Sequence, residues 1–134
     1  MAGLVIDASV AAKWFLAEDR SADALEIRRT GADLIAPDLV VIEVFNSIWA
    51  AARKGRLATA QLAQIEPMLP LAFSMLVPVL ELYQPASNLA RRLEHPIYDT
   101  LFLALAEREG LPLVTADERL FAAGRKAKIP VQLL

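Results

Sequence analysis

Short runs of aliphatic residues alternate along the chain with longer segments of helical pattern, and this alternation constrains the fold more than any other feature. The runs are apolar on both faces, which is typical of parallel strands covered by helices on both sides. A chain of 134 residues has the size of one domain. We therefore expect residues 1–134 to form a single α/β domain around a mostly parallel sheet. The predicted strands span residues 4–6, 34–36, 73–79, 113–115 and 129–133.

The segments between these strands predict seven helices. Pro78 favours an edge position for the third strand, because proline cannot donate to a central ladder. Candidate N-caps are Ser9, Asp38, Thr59 and Asp117. The predicted helices span residues 10–17, 21–29, 39–54, 59–66, 85–93, 97–109 and 117–124.

Composition excludes several kinds of chemistry. The chain has no cysteine, so thiol nucleophiles, disulfides and thiolate metal sites are absent. It has one histidine, His95, which excludes metal sites and ribonuclease mechanisms that need two. The net charge of −2 is not that of a protein that coats nucleic acid by charge alone. Carboxylates, hydroxyls, amides and basic side chains remain.

No membrane or export signal is visible. The first residues lack a basic leader, and the apolar stretch at 68–80 is interrupted by Pro70, Ser74 and Pro78. We expect a soluble, cytoplasmic protein with no membrane partner.

Four acidic residues lie at the ends of apolar strands or within apolar helices, where charged side chains are uncommon. Asp7 directly follows the first strand, and Asp117 lies just beyond the fourth. Glu43 and Asp99 lie in otherwise apolar helices. Because ligands bind beyond the carboxyl ends of parallel strands, we expect the four carboxylates to meet at that edge.

Each acid also has a plain structural alternative. Asp7 and Asp117 could be helix caps, and Glu43 and Asp99 could reach solvent. If they do cluster, two carboxylates ~6 Å apart at an effective dielectric constant of about 20 repel by roughly 3 kcal/mol. Such a group must take up protons or bind cations. An all-oxygen site suits Mg²⁺ or Mn²⁺, and phosphodiester hydrolysis by an activated water fits that chemistry.

Polar neighbours of these acids are candidates for supporting roles. Ser9 and Thr115 could orient a carboxylate or a bound water, although Ser9 could instead be a simple cap. Asn46 shares a helix face with Glu43 and could hold it or contact substrate. Lys13 is either a solvated side chain or a phosphate contact. His95 is assigned no role.

Taken together, these residues resemble the PIN-domain family of metal-dependent ribonucleases, and more narrowly the VapC-type toxins of toxin–antitoxin pairs. The resemblance covers essentially the whole chain, and no acidic position departs from the pattern. The matching segments are Val-Ile-Asp-Ala-Ser at 5–9, Ala-Pro-Asp at 36–38, Glu-Val-Phe-Asn at 43–46, Tyr-Asp at 98–99 and Leu-Val-Thr-Ala-Asp at 113–117.

The resemblance implies a three-layer α/β/α sandwich. It maps Asp7, Glu43, Asp99 and Asp117 onto an acidic quartet that holds one or two Mg²⁺ or Mn²⁺ ions, with Asp7 and Asp99 as direct ligands. It implies cleavage of single-stranded or loop RNA, often in tRNA or rRNA. It also implies a homodimer inhibited by a small cognate antitoxin, which binds operator DNA.

Other readings make different demands on the sequence. A PIN-domain ribonuclease could process RNA without being a toxin. A Mg²⁺-binding phosphoacceptor receiver needs paired acids after the first strand, but Ala8 follows Asp7. A haloacid-dehalogenase-like phosphatase needs Asp-x-Asp there, and Ser9 stands in place of the second acid. A non-catalytic RNA-binding module predicts a basic, aromatic-rich surface that this composition lacks.

Two surfaces are candidates for protein partners. Apolar side chains on the helices at 39–54 and 59–66, and in the stretch after them, exceed what a small monomer usually hides, which favours a two-fold dimer. An antitoxin could lay a helix between the 21–29 and 39–54 helices and insert an Arg or Lys among the acids. The basic clusters at 53–56, 91–92 and 125–128 have two interpretations: they either face solvent or contact the phosphates of RNA. The dimer candidates are Ile42, Phe45, Trp49, Leu62, Ile65 and the stretch to Leu71.

Overall fold

A computed structural model describes residues 3–134, where seven α-helices flank one five-stranded parallel sheet. Residues 1 and 2 of the predicted 1–134 domain lie outside the described residues. The strands are β1 (Gly3–Ile6), β2 (Asp33–Pro37), β3 (Met75–Val77), β4 (Leu113–Thr115) and β5 (Val131–Leu133). The helices are α1 (Ala8–Ala11), α2 (Ser21–Arg29), α3 (Leu39–Arg53), α4 (Thr59–Ile65), α5 (Val79–Leu93), α6 (Ile97–Glu109) and α7 (Glu118–Lys126), with 3₁₀ turns at Ala12–Trp14, Glu66–Met68 and Pro70–Ala72.

The strand order is β3-β2-β1-β4-β5. The chain steps outward from β1 to β3, returns across the sheet to β4 beside β1, and ends on β5. Because parallel crossovers are right-handed, this reversal puts α1 to α4 on one face and α5 to α7 on the other. The register aligns Val5 with Ile35 of β2 and with Leu113 of β4. The predicted α/β/α sandwich is confirmed.

The core is densest where α6 crosses the middle of the sheet. This helix lies against β1, β2 and β4 and packs along α5. Every residue from Thr100 to Ala106 is buried as a result. The Thr100 hydroxyl is satisfied by donating to the Ala86 carbonyl at 2.8 Å. None of the helices in residues 3–134 is both long and apolar enough to cross a membrane.

Helix α5 begins six residues earlier than the sequence pattern predicts. Pro85 is not its start but lies inside it. The buried side chains of Leu82, Ala86, Leu89 and Leu93 form one stripe that packs on α6. This packing outweighs the missing backbone hydrogen bond at the proline.

Two predicted N-caps are wrong, and a third is right in position only. Asp7, not Ser9, is the N-cap of α1, and the helix is a single turn that continues as a 3₁₀ turn. Thr59 is the first residue of α4 rather than its cap; Ala58 is the N-cap residue, and its N–H donates to Gln61 Oε1. Asp38 is the N-cap residue of α3 as predicted, but its side chain does not bond to the helix, because its Oδ1 accepts from the Val79 backbone N–H.

The outer strands differ from the prediction in length and burial. β3 covers three residues of the predicted 73–79 and is an edge strand as expected, with Pro78 at the N-cap position of α5. Met75 on β3 and Leu133 on β5 are each 42% exposed. The expectation that every strand is covered on both faces is therefore wrong for the two edges. Gly124 does not end α7; a Cβ there would lie 3.0 Å from Val131 Cγ1, so it permits close packing.

Candidate active site

A cleft opens at the carboxyl ends of β1 and β4, where the chain leaves the sheet in opposite directions. Such a switch point is where open α/β sheets bind their ligands. The cleft has a volume of about 620 Å³, and all four predicted acids line it. Its full lining is Asp7, Ala8, Ser9, Ala12, Lys13, Glu18, Glu43, Asn46, Ser47, Asp99, Phe102, Ala116 and Asp117.

Asp7 lies at the base of the cleft and is only 5% exposed. The Ser9 hydroxyl donates to its Oδ1 and the Thr115 hydroxyl donates to its Oδ2, each at 2.7 Å. The Val10 backbone N–H also donates to Oδ1, at 3.2 Å. Burial raises the pKa of Asp7 to about 6 although these hydrogen bonds oppose the shift.

The two hydroxyls also connect Asp7 to the loop after β4. Ser9 Oγ accepts from the Ala116 backbone N–H at 2.9 Å, and Thr115 Oγ1 accepts from the Asp117 N–H at 3.0 Å. Thr115 is fully buried and does not line the cleft itself. The carboxylate of Asp7 is therefore held in one orientation by groups that are themselves held.

Glu43 enters the cleft from α3, five residues into the helix. It is half-buried, and Asn46 and Ser47 line the cleft beside it, one turn further along. Burial raises its pKa to about 7, with smaller contributions from the negative charges of Asp99 and Asp7. These charge effects indicate that the three carboxylates are near enough to repel one another.

Asp99 lies in the first turn of α6 and is paired with a residue to which the sequence assigned no role. His95 Nε2 is 2.7 Å from Asp99 Oδ2. The histidine side chain is 9% exposed and the aspartate side chain 31%. Sequence reasoning missed this contact because it depends on the turn between α5 and α6.

Asp117 is the N-cap of α7 and lines the cleft as well. Its Oδ1 accepts from the Arg119 N–H at 2.8 Å and from the Leu120 N–H at 3.4 Å. Asp117 therefore caps a helix and also belongs to the cluster of acids, so its two predicted roles are compatible. The cap fixes the carboxylate at the rim and adds the positive end of the helix dipole beside it.

Glu18 is a lining residue that the sequence did not reveal. It lies in the loop before α2, outside any apolar helix that would mark it. Lys13 also lines the cleft, with Nζ 3.7 Å from Glu18 Oε1 and its side chain 13% exposed. Lys13 is therefore not the freely solvated lysine that was the simpler expectation.

Comparison with known proteins identifies the family. The PIN domain family model matches residues 4–126. This chain belongs to the PIN domain family. It is 33% identical over 119 residues to ribonuclease VapC3 of Pyrobaculum aerophilum, covering 87% of this chain and 91% of that protein.

Solved PIN-like structures share the fold. The crystal structure of PAE2754 from Pyrobaculum aerophilum superposes with a TM-score of 0.70 at 25% identity, covering 91% of this chain and 84% of that one. VapC20 of Mycobacterium tuberculosis, a sarcin-ricin loop cleaving toxin, superposes with a TM-score of 0.71 at 18% identity, covering 91% and 95%. The predicted family is confirmed, and the receiver and phosphatase readings are excluded.

The donor set of this PIN domain fits a hard divalent cation. The cleft offers carboxylate, hydroxyl and amide oxygens, which are the ligands that Mg²⁺ and Mn²⁺ prefer. Burial is the main cause of the raised pKa values of Asp7 and Glu43, and repulsion from neighbouring carboxylates adds to it. As the side chains stand within residues 3–134, no three His, Asp or Glu residues are grouped closely enough to hold a metal ion. Metal binding therefore requires small side-chain movements toward one another.

Proposed function

We propose that this PIN domain is a Mg²⁺- or Mn²⁺-dependent endoribonuclease that acts as the toxin of a toxin–antitoxin pair. The observation that carries the proposal is the meeting of Asp7, Glu43, Asp99 and Asp117 in one cleft at the switch point. Similarity to ribonuclease VapC3 across most of both chains supports RNA as the substrate.

In this proposal Asp7 and Asp99 hold the cation directly, with Glu43 and Asp117 completing the acidic rim. The bound ion would supply positive charge for the attacked phosphate and activation of a water. Asp7 is already held in one orientation, because Ser9 and Thr115 each donate to one of its oxygens. Asp117 is equally fixed by its capping bonds.

Without a cation, burial and the acidic neighbours of Glu43 raise its pKa to about 7. A bound cation would lower this pKa, so Glu43 would be ionised in the occupied cleft. Its carboxylate would then accept a hydrogen bond from the attacking water and later take up its proton. Asn46 and Ser47, on the same part of α3, are placed to contact the RNA backbone.

The direct test is RNA cleavage by the purified protein with and without divalent cations. Cleavage of structured tRNA or rRNA is expected with Mg²⁺ or Mn²⁺ and lost in EDTA. Water attack leaves a 5′-phosphate, whereas attack by the ribose 2′-OH leaves a 2′,3′-cyclic phosphate. Asp7→Asn and Asp99→Asn should each lower the rate at least a hundredfold. Glu107→Gln, on the exposed part of α6, is the matched control and should cleave normally.

Activity in EDTA, or a cyclic phosphate product, would refute a metal-dependent hydrolysis. The thermal unfolding midpoint of each variant is measured in parallel. Loss of cleavage then counts only for variants that remain folded.

The VapC-named relative supports the toxin role. A toxin that cleaves tRNA or rRNA would act in the cytoplasm, where its substrates are. A small cognate antitoxin would inhibit it by inserting an Arg or Lys among the acids, and would bind operator DNA for the pair. Expression of the wild-type chain should arrest growth, and co-expression of the neighbouring small gene should relieve the arrest. Growth without arrest, despite cleavage in vitro, would favour an RNA-processing role instead.

A further inference from the structure

His95 occupies a turn whose backbone leaves it little freedom. Its N–H donates to the Ala90 carbonyl at 3.1 Å and thereby closes the end of α5. Glu94 before it is left-handed, with φ of 51°, and Pro96 after it restricts the backbone of His95 to extended values. The imidazole therefore projects from a rigid connection between two packed helices.

Asp99 has fewer hydrogen-bonding partners than Asp7 or Asp117. Its negative charge contributes to the raised pKa values of Glu43 and Asp7, so the three carboxylates repel one another when no cation is present. Asp7 has two hydroxyl donors and Asp117 has two backbone donors. For Asp99, the side-chain hydrogen bond found among residues 3–134 is the one with His95.

We propose that His95 is a positioning residue for Asp99. An ionised carboxylate only accepts hydrogen bonds, so Nε2–H donates to Oδ2. The bond holds the side chain at the cleft against the repulsion and occupies Oδ2, so that Oδ1 would be available to a cation. Carboxylates that bind metals are commonly fixed by such outer partners, whose loss costs 10–100-fold in metal affinity.

This inference rests on the proposed metal-dependent function, and the experiment separates the two. Mn²⁺ binding is measured by calorimetry and by electron paramagnetic resonance for the wild-type chain, His95→Leu and His95→Gln. Leucine removes the donor but keeps an apolar side chain of moderate size. Glutamine places an amide N–H near the position of Nε2 and restores the donor.

The expected result is a rise in the Mn²⁺ dissociation constant of about tenfold in His95→Leu, with most of it recovered in His95→Gln. The Mn²⁺ concentration for half-maximal RNA cleavage should shift in parallel, whereas the KM for RNA at saturating Mn²⁺ should stay within twofold. The thermal midpoint of both variants without metal is measured as well. If His95 had only a structural role, the thermal midpoint would fall in the variants, and His95→Gln would not recover Mn²⁺ binding.

Unchanged or tighter Mn²⁺ binding in His95→Leu would overturn the inference while leaving the proposed function intact. Weaker binding that glutamine fails to recover would also overturn it, because the donor would not be the cause. A wild-type chain that binds no Mn²⁺ would refute the proposed function and the inference together.

Discussion

Among single residues, Asp7 and Glu43 show most clearly what it costs in free energy to bury carboxylates in this cleft. A buried carboxylate is costly unless it is hydrogen-bonded or paired with a cation. Asp7 receives three hydrogen bonds and still has a raised pKa. In the proposed function, a bound cation would recover part of the free energy that this burial costs.

The cation-free protein should therefore lose stability as the pH rises. Folding raises the pKa of Asp7 from 3.8 to about 6 and that of Glu43 from 4.5 to about 7. The folded state binds more protons across this window, so this contribution to stability is complete below about pH 4 and is lost as the pH passes 6 to 7. Between pH 5 and pH 8 the free energy of unfolding should fall by roughly 2 to 4 kcal/mol. In this figure the contribution of Glu43 is reduced, because its side chain is partly exposed and solvent screens its charge. Urea unfolding in EDTA at pH 5 and pH 8 measures it.

The control for this prediction is the Asp7→Asn/Glu43→Gln double variant. Its free energy of unfolding should change less between pH 5 and pH 8 than that of the wild type. Equal pH dependence in the two proteins would show that other groups cause the effect. Added Mg²⁺ should stabilise the wild type at pH 8 and leave the double variant nearly unchanged.

Among the elements, α5 shows how tertiary packing overrides a local signal. Proline is favoured in the first helical turn, and the sequence pattern predicts a helix that starts at Pro85. The helix instead extends from Val79, because the stripe from Leu82 to Leu93 gains more by packing on α6 than the proline costs. Pro85 itself is exposed.

Replacing Pro85 by Ala should stabilise the protein. The substitution restores a backbone N–H within α5 and removes the clash of the ring with the preceding turn, together worth about 3 kcal/mol in a helix interior. The unfolded chain gains freedom, which offsets about 1 kcal/mol. A net gain of roughly 1 to 2 kcal/mol in urea unfolding is expected. Gln84→Ala, exposed on the same helix, is the control and should change stability by less than about 0.5 kcal/mol.

Local sequence patterns predicted some residues of the cleft, whereas tertiary packing determined others. Asp7 and Asp117 were predictable because Asp7 directly follows one short apolar strand, Asp117 lies one residue beyond another, and parallel strands bring their carboxyl ends to one edge. Glu43 and Asp99 were predictable as the acids of apolar helices. His95 and Glu18 were not, since their positions depend on the α5–α6 turn and on the loop before α2, whose geometry no periodic pattern encodes.

For the whole molecule, the strand order explains why residues more than a hundred positions apart form one site. The return of the chain from β3 to β4 brings Thr115 beside Asp7 and closes the cleft with α6. It also leaves apolar side chains exposed on the outer helices. Of the residues predicted for a dimer interface, Phe45, Leu62 and Ile65 pack partly against the core. Ile42 remains 65% exposed, Trp49 43% and Leu71 82%.

We therefore expect a homodimer whose two-fold contact centres on the exposed face of α3. Burying exposed aliphatic and aromatic side chains of this size against one another in a dimer interface lowers the free energy. Ile42→Lys combined with Trp49→Lys should shift the protein from dimer to monomer in light scattering at micromolar concentration, without lowering its thermal midpoint by more than a few degrees. Leu80→Lys, on α5 with Leu80 84% exposed, is the matched comparison and should remain dimeric. A wild-type monomer would contradict the dimer, and dissociation by Leu80→Lys alone would move the contact from α3 to the ends of α5 and α6.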